Sequence, residues 1–312
     1  MPTPTAVRRA VAGLKQSHRF SPRAIISTIF GDMLWPHGAS IWLGSLVEAA
    51  ALFDIGESHA RTSTLRLSYD GWLKSVRVGK LSYYSMGDEV MHDYIAVVYG
   101  TPNESRVGDW TMVFTGVADL AKQRYVRLRQ ALIWEGVGQL APHVFIVPSS
   151  DTGRLNKVLD EFQLADRVQM LSAQTLPTKD PEMARRMVRD AWALAEIEKR
   201  YEGFLKRFRP IYQILERHAG EIEPEYCFVI RALLVLEYRV IAVRDPHLPA
   251  SLLPTPWPGH SAFNLCKAIY QQVLAGSEAY LGASFKALDG PLPQIRPIFW
   301  GRFGGLEAPA AS

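Results

Sequence analysis

Cysteine is nearly missing from this chain: of 312 residues only Cys227 and Cys266 carry a thiol. Two thiols that far apart can neither staple a small secreted scaffold nor build a cysteine zinc site, and the usage fits a reducing cytoplasm. A long uninterrupted apolar run is missing too. The most apolar stretch, Tyr226 to Val243, is cut by Arg231, Glu237 and Arg239. A membrane span of about 20 residues rarely tolerates three such charges, so this segment reads as a helix buried by neighbours. The first residues carry Arg8, Arg9 and Lys15 without the apolar core of a secretory signal. The expectation is a cytoplasmic protein with no membrane partner. Nucleotide signatures are lacking, since neither G-x-G-x-x-G after a strand nor G-x-x-x-x-G-K-[ST] occurs. H-E-x-x-H and G-x-S-x-G are absent as well, and the eight histidines are scattered. Nothing assembles a nucleophile with its base, so no catalytic residue, metal or cofactor is expected, and the chain does not read as an enzyme.

What is present is ordinary globular material, 48% hydrophobic and 21% charged, in a length that suits two or three domains. The net charge of +4 is unevenly spread: residues 1–84 carry +5 and the remainder −1. A basic module on a near-neutral body fits a nucleic-acid-binding domain joined to a sensing or assembly part.

The first 20 residues show no clear period and read as a flexible arm. From Pro22, the residues Ala24, Ile25, Ile26, Ile29, Phe30 and Met33 form an apolar helical stripe that ends near Trp35-Pro36. A short strand at Ile41-Trp42 and a second helix through Leu43, Leu46, Val47, Ala50 and Leu52 follow. A third helix spans Ser58 to Asp70, with Ala60, Leu65 and Tyr69 expected inward and Arg61, Thr62, Thr64 and Arg66 expected outward. Then WLKSVRVGKLSYYSM alternates across a Gly79-Lys80 turn, as a β-hairpin requires. Three helices and a basic-tipped hairpin make a winged helix-turn-helix. Its helix suits the major groove, where Arg offers a donor fork to guanine and Thr can meet phosphate or thymine. Arg77 and Lys80 would meet phosphates or the minor groove, and Tyr83 joins the DNA-binding candidates. Each piece also has a plainer reading: solvated arginines, a surface His59, and Tyr83 and Tyr84 as packing residues.

Beyond residues 88–109, strands at Trp110–Phe114, Leu140–Val147 (interrupted at Pro142) and Val168–Leu171 alternate with helices at Lys122–Trp134 and Leu155–Leu164. That order suggests a small ferredoxin-like α+β domain, a fold with little functional weight of its own. Asp109 would be the metal ligand of a nuclease built there, but no second and third carboxylate accompany it. Arg124, Arg127 and Arg129 read as a solvated face or a nucleic-acid contact. From Pro181 the period is helical, with Pro210 expected to bend or break one run. Helices rich in Trp, Tyr and Arg can enclose an apolar ligand bearing charge. The candidates are Trp192, Arg231, Tyr238, Arg239, Trp257 and His260, each also readable as structural, Arg239 as a partner of Glu237.

Three strings in the chain resemble the PaaX family of bacterial repressors: IISTIFGDMLWPHGASIWLGSLVEAAALFDIGESHARTSTLRLSYDGWLKSVRVGKLSYYSM, LRQALIWEGVGQLAPHVFIVP and, most specifically, RDPHLPASLLPTPWPGHSAFNL. With the segments between, the likeness covers about residues 23–285. The resemblance implies a dimeric transcriptional repressor on a partly palindromic operator, released by an aryl-acyl-CoA thioester such as phenylacetyl-CoA. The third helix keeps Arg61, Thr62, Leu65, Asp70, Gly71 and Trp72 where the family commonly has them, and departs from it at Ser63 and Thr64.

The reading is therefore a multidomain α+β protein. It comprises an arm (1–20), a winged helix-turn-helix (21–92), a linker (93–107), a ferredoxin-like central domain (108–176), a mostly helical effector-binding and dimerisation domain (177–290) and an irregular tail (291–312). The DNA-binding set is Arg61, Thr62, Thr64, Arg66, Arg77, Lys80 and Tyr83; the effector set is Trp192, Arg239, Trp257 and His260. Operator DNA, an acyl-CoA effector and a second copy are the expected partners. The alternatives are a metal-dependent nucleic-acid-processing enzyme on the central domain, or a DNA-binding regulator with no effector.

Overall fold

The structure, a computed structural model, describes residues 3–17, 20–88, 91, 95, 98–100, 109–148, 152–174, 181–248 and 250–307. The chain divides into two compact units. One comprises Met1–Gly100, Phe204–Arg239 and Ala262–Ser312, the other Thr101–Gly203 and Val240–Ser261. The winged module therefore shares its unit with C-terminal helices rather than standing alone.

In the first unit, α1 (Thr5–Ser17) seats Val7, Val11 and Leu14 in the core, spaced by four and three residues. The expected flexible arm is instead a packed helix. Lys15 pairs with Asp54 at 2.8 Å, and Thr3 Oγ1 accepts the Glu223 N–H at 2.8 Å. Next, α2 (Pro22–Thr28) starts at Ser21, whose hydroxyl accepts the Ala24 N–H, with Pro22 in the first turn where its missing N–H costs nothing. It continues through a π-helical turn, Ile29–Leu34, to a short turn ending at Gly38, and residues 25–37 are all buried. Then come β1 (Ile41–Trp42), α3 (Leu43–Ala51), α4 (Glu57–Tyr69), β2 (Leu73–Val78) and β3 (Leu81–Met86). The three strands form an antiparallel sheet in the order β1-β3-β2. Val78 faces Leu81 across the two-residue turn, where Gly79 takes the left-handed φ of 61°. This is the expected winged helix.

Of the expected linker at 93–107, only Ile95 and residues 98–100 lie among the described residues; Val98 and Tyr99 are helical and buried. In the second unit, β4 (Asp109–Phe114), α5 (Lys122–Trp134), β5 (Gly138–Ala141), β6 (Val144–Pro148), α6 (Thr152–Glu161) and β7 (Gln169–Gln174) follow in turn. The antiparallel sheet order β5-β6-β4-β7 is ferredoxin-like. Leu128, Leu132, Leu155, Val158 and Leu159 pack on Val113, Phe145 and Val147. The single strand expected over Leu140–Val147 is a hairpin, because the chain reverses at Pro142-His143, with His143 at φ 64°.

The helical remainder is α7 (Pro181–Ala191), α8 (Leu194–Arg217), α9 (Pro224–Ala242) and α10 (Pro258–Ser284). Pro210 does not break α8, which runs through it. The apolar run is α9, buried almost throughout from Cys227 to Tyr238, and no described helix is long and apolar enough to cross a membrane. The expected irregular tail is partly core: over Pro297–Gly304 Phe299 is buried in a helical turn and Arg302 and Phe303 in the non-helical kink that follows it, while Ile298 is exposed.

Candidate nucleic-acid interface

On α4 the inward residues are Ala60, Thr64 and Leu67, spaced by four and three. Two expectations are thereby corrected. Leu65 and Tyr69 point outward, 46% and 81% exposed, and Thr64 is fully buried, its hydroxyl donating to the Ala60 carbonyl at 2.9 Å. A side chain so placed cannot reach DNA. The helix can bury only one stripe, and Leu67 takes the core position. Arg61, Thr62 and Arg66 are exposed, with Arg61 Nε donating to Glu57 Oε1 at 2.8 Å.

The wing presents Arg77 and Lys80 to solvent. Val76 lies opposite Tyr83, and Arg77 opposite Ser82. Neighbouring residues on a strand face opposite sides, so Arg77 and Tyr83 lie on different faces of the hairpin. Arg77 shares its face with buried Leu73 and Tyr84; Tyr83 is half-buried on the face of Trp42. The structure thus brings Arg77 and Lys80 to the tip and leaves Tyr83 on the flank.

The unit that holds the winged module also contains a buried charge cluster that sequence reasoning missed. Asp32, in the π-helical turn after α2, is fully buried. Its Oδ2 accepts Arg231 Nε at 2.7 Å, and its Oδ1 accepts Tyr99, Tyr270 and Arg302 Nη1, the last at 2.7 Å. Arg231 also reaches Glu278, which faces His37 at 3.1 Å. Both guanidinium groups lie over aromatic rings, Arg231 on Tyr270 and Arg302 on Tyr99 and Phe299. Burial by itself would push the Asp32 carboxyl up, but Arg231, Arg302 and the Tyr99 hydroxyl together hold it below the ordinary range. Burial likewise opposes the Glu278 charge, and Arg231 and His37 bring that carboxyl down. Burial pushes the Tyr270 hydroxyl up, so it stays a donor. This cluster joins the turn after α2 to α9, α10 and the C-terminal segment inside one core.

Of the four expected effector residues, Trp192, Trp257 and His260 belong to the second unit and Arg239 to the first. Trp192 is buried, donating from its indole to the Gly136 carbonyl at 2.7 Å, beside Trp110. A Cβ on Gly138 would fall 2.7 Å from that indole, so glycine is what lets the strand approach. Trp257 is buried edge-on to Tyr201, and His260 is exposed. Arg239, in the other unit, donates to the Ala24 carbonyl and the Ser27 hydroxyl at 3.0 Å each. Glu237 pairs instead with Arg207 at 2.7 Å. A cleft of about 360 Å³ lies among Arg185, Arg189, Glu198, Leu252 and Thr255, and contains none of the four. Asp109 accepts from the Gln174 side chain at 3.3 Å, and among the described residues no group of three His, Cys, Asp or Glu converges as metal ligands would. Of the basic face on α5, Arg124 and Arg129 hydrogen-bond to Phe162 and Gln139 within their own domain.

Comparison with known proteins yields three family models in sequence: the PaaX-like protein model on residues 21–90, the PaaX central Cas2-like domain on 103–186, and the PaaX-like C-terminal domain on 192–283. The transcriptional repressor PaaX of Escherichia coli (strain K12) is 34% identical over 290 residues, which are 92% of this chain and 91% of that protein. A solved structure of an uncharacterized Mycobacterium tuberculosis protein is similar in fold. It has a TM-score of 0.52 at 21% identity over 83% of this chain and 97% of that one.

Proposed function

The chain belongs to the PaaX family, and from that premise we propose that it represses an aromatic-acid catabolic operon by occupying operator DNA. The observation that carries this reading is the surface of the winged module. Arg61 and Arg66 on the two flanks of the outward side of α4, and Arg77 and Lys80 at the tip of the adjoining hairpin, are all exposed. Phosphate contacts from these side chains hold the protein on the duplex, and base-edge contacts along α4, Thr62 included, choose the sequence. Tyr83, on the flank of the wing, adds a hydroxyl within reach of the backbone. The protein acts as a homodimer in the cytoplasm. Two-fold symmetry sets the recognition helices about 34 Å apart, or a multiple of it, on a partly palindromic site.

Release follows from an aryl-acyl-CoA thioester, phenylacetyl-CoA being the first candidate. A ligand shifts occupancy only by binding the DNA-free state better than the DNA-bound one. Thioester binding therefore weakens DNA affinity, and operator DNA weakens thioester binding by the same factor. The test is a gel shift of the full chain on its own promoter region with a panel of acyl-CoA thioesters, free phenylacetate and CoA. A retarded complex dissolved by the aryl thioester, and not by the acid or CoA alone, is the expected result. A complex indifferent to every thioester removes the effector, and no specific complex removes the repressor reading.

A further inference from the structure

With Ala60, Thr64 and Leu67 turned to the core, an α-helix of 3.6 residues per turn places Ser58, Thr62, Leu65 and Tyr69 on the opposite strip. All four are exposed. Arg61 and Arg66 fall on either side of that strip, one toward each edge of the helix. A helix lying in a major groove turns its outermost strip to the groove floor, where the base edges are, and its flanks to the two phosphate walls. The arginines are therefore placed for the walls, and the floor is left to two short hydroxyl side chains, a leucine and, at the C-terminal end, a tyrosine. A lone exposed leucine would need no explanation. Here the leucine is the middle of the strip, and the Arg61–Glu57 pair turns the nearest guanidinium sideways.

We propose that Leu65 reads the operator: its methyl groups pack on the C5-methyl of a thymine on the major-groove floor, one such contact per half-site. Thymine is the base whose major-groove edge offers a methyl group, so an apolar side chain there discriminates by burial rather than by hydrogen bonding. The inference rests on the DNA-binding reading above, and its test separates the two.

The full-length protein is used to select its preferred duplex from a random-sequence library. Each thymine of that duplex is then replaced singly by deoxyuridine, which removes only the C5-methyl. Affinities are measured at fixed salt for wild type, Leu65→Ala and, as a control on the same helix, Ser63→Ala. About 0.8 kcal/mol per buried methyl group corresponds to about a fourfold change at 25 °C. One thymine per half-site should therefore show about a fourfold loss on replacement. Leu65→Ala should bind the thymine duplex more weakly by at least that factor and be indifferent to deoxyuridine at that same position, while Ser63→Ala keeps the wild-type sensitivity. Circular dichroism should show Leu65→Ala folded, since the side chain is not part of the core. A selected duplex with no uracil-sensitive thymine overturns the proposal, as does a sensitivity that persists undiminished in Leu65→Ala. Loss of the dimer in Leu65→Ala, with uracil sensitivity retained, overturns it in favour of a protein contact. Recovery of no preferred duplex at all sinks the DNA-binding reading itself.

Discussion

Replacing Asp32 by Asn changes one atom and removes the charge at the centre of the buried cluster. Four donors converge on this carboxylate: Oδ1 accepts Tyr99, Tyr270 and Arg302, and Oδ2 accepts Arg231. An asparagine has one acceptor oxygen and one NH2 group, so at least one donor must face another donor. Worse, Arg302 loses its anionic partner and Arg231 keeps only Glu278. Breaking a buried ion pair from one side costs about 3–5 kcal/mol, because the remaining charge stays desolvated. For a unit of this size that is a fall in Tm of about 6–20 °C, at about 2–4 °C per kcal/mol. Urea denaturation of the full chain at neutral pH measures it directly. The pH dependence gives a second, independent reading. The folded Asp32 carboxyl lies below its ordinary value of 3.8. Its charge therefore contributes stability that is complete above that value, and lost as the pH falls through the lower folded value. The stability gap between wild type and Asp32→Asn should accordingly narrow in acid. A loss under about 1 kcal/mol at neutral pH would refute the reasoning, because the cost of leaving a buried charge unpaired could not then be present. So would a gap that stays constant down to the lowest pH at which both proteins fold.

Thr64→Val should leave DNA affinity within about twofold while costing about 0.5–1.5 kcal/mol of stability through the lost bond to Ala60, a contrast that affinity and melting measurements on one preparation can check. Arg77→Ala with Lys80→Ala should weaken specific and non-specific binding alike and lower the salt slope by about 2, read from a salt titration. Arg239→Ala, which removes one charged donor from the Ala24 carbonyl and one from the Ser27 hydroxyl, should lower stability by about 1.5–3 kcal/mol without a selective change in thioester response; a normal melt with a tenfold effector defect would return Arg239 to the ligand site. Cys227, whose thiol burial pushes up to about 11, and buried Cys266 should react with a thiol reagent only on unfolding, so prompt labelling of the native chain would contradict their packing.

The winged head was legible because its signals are local. Ser21-Pro22, the Gly79-Lys80 turn and alternation through Leu73–Val78 each fix a neighbouring backbone shape without help from elsewhere. Errors arose where a local signal allowed two answers and tertiary packing chose. Ala60, Leu65, Leu67 and Tyr69 cannot all lie on one face of a helix. The expected inward face holds Leu65 and Tyr69; the core takes Leu67 and the small, self-bonded Thr64, leaving the bulkier pair to the outward surface. At Pro142-His143 a proline read as an interruption is a reversal, because His143 adopts a left-handed φ with no glycine to announce it.

The Asp32 cluster was beyond reach for a different reason. Arg231 is 199 residues from Asp32 and Arg302 is 270, so no spacing rule could pair them. Arg231 did stand out as a charge inside an otherwise apolar helix, and that was a usable signal. A fully buried arginine needs an anion at the end of its side chain, so the sequence demanded a carboxylate without saying which. The carboxylate comes from the π-helical turn that follows α2 in the winged module. That answer changes what the C-terminal helices are: α9 and α10 complete the core that seats the turn after α2. Residues 25–37 are all buried, and the Asp32 carboxylate among them is held by Arg231 of α9, Tyr270 of α10 and Arg302. A substitution deep in those helices, far in sequence from any base contact, can therefore alter DNA binding without touching DNA.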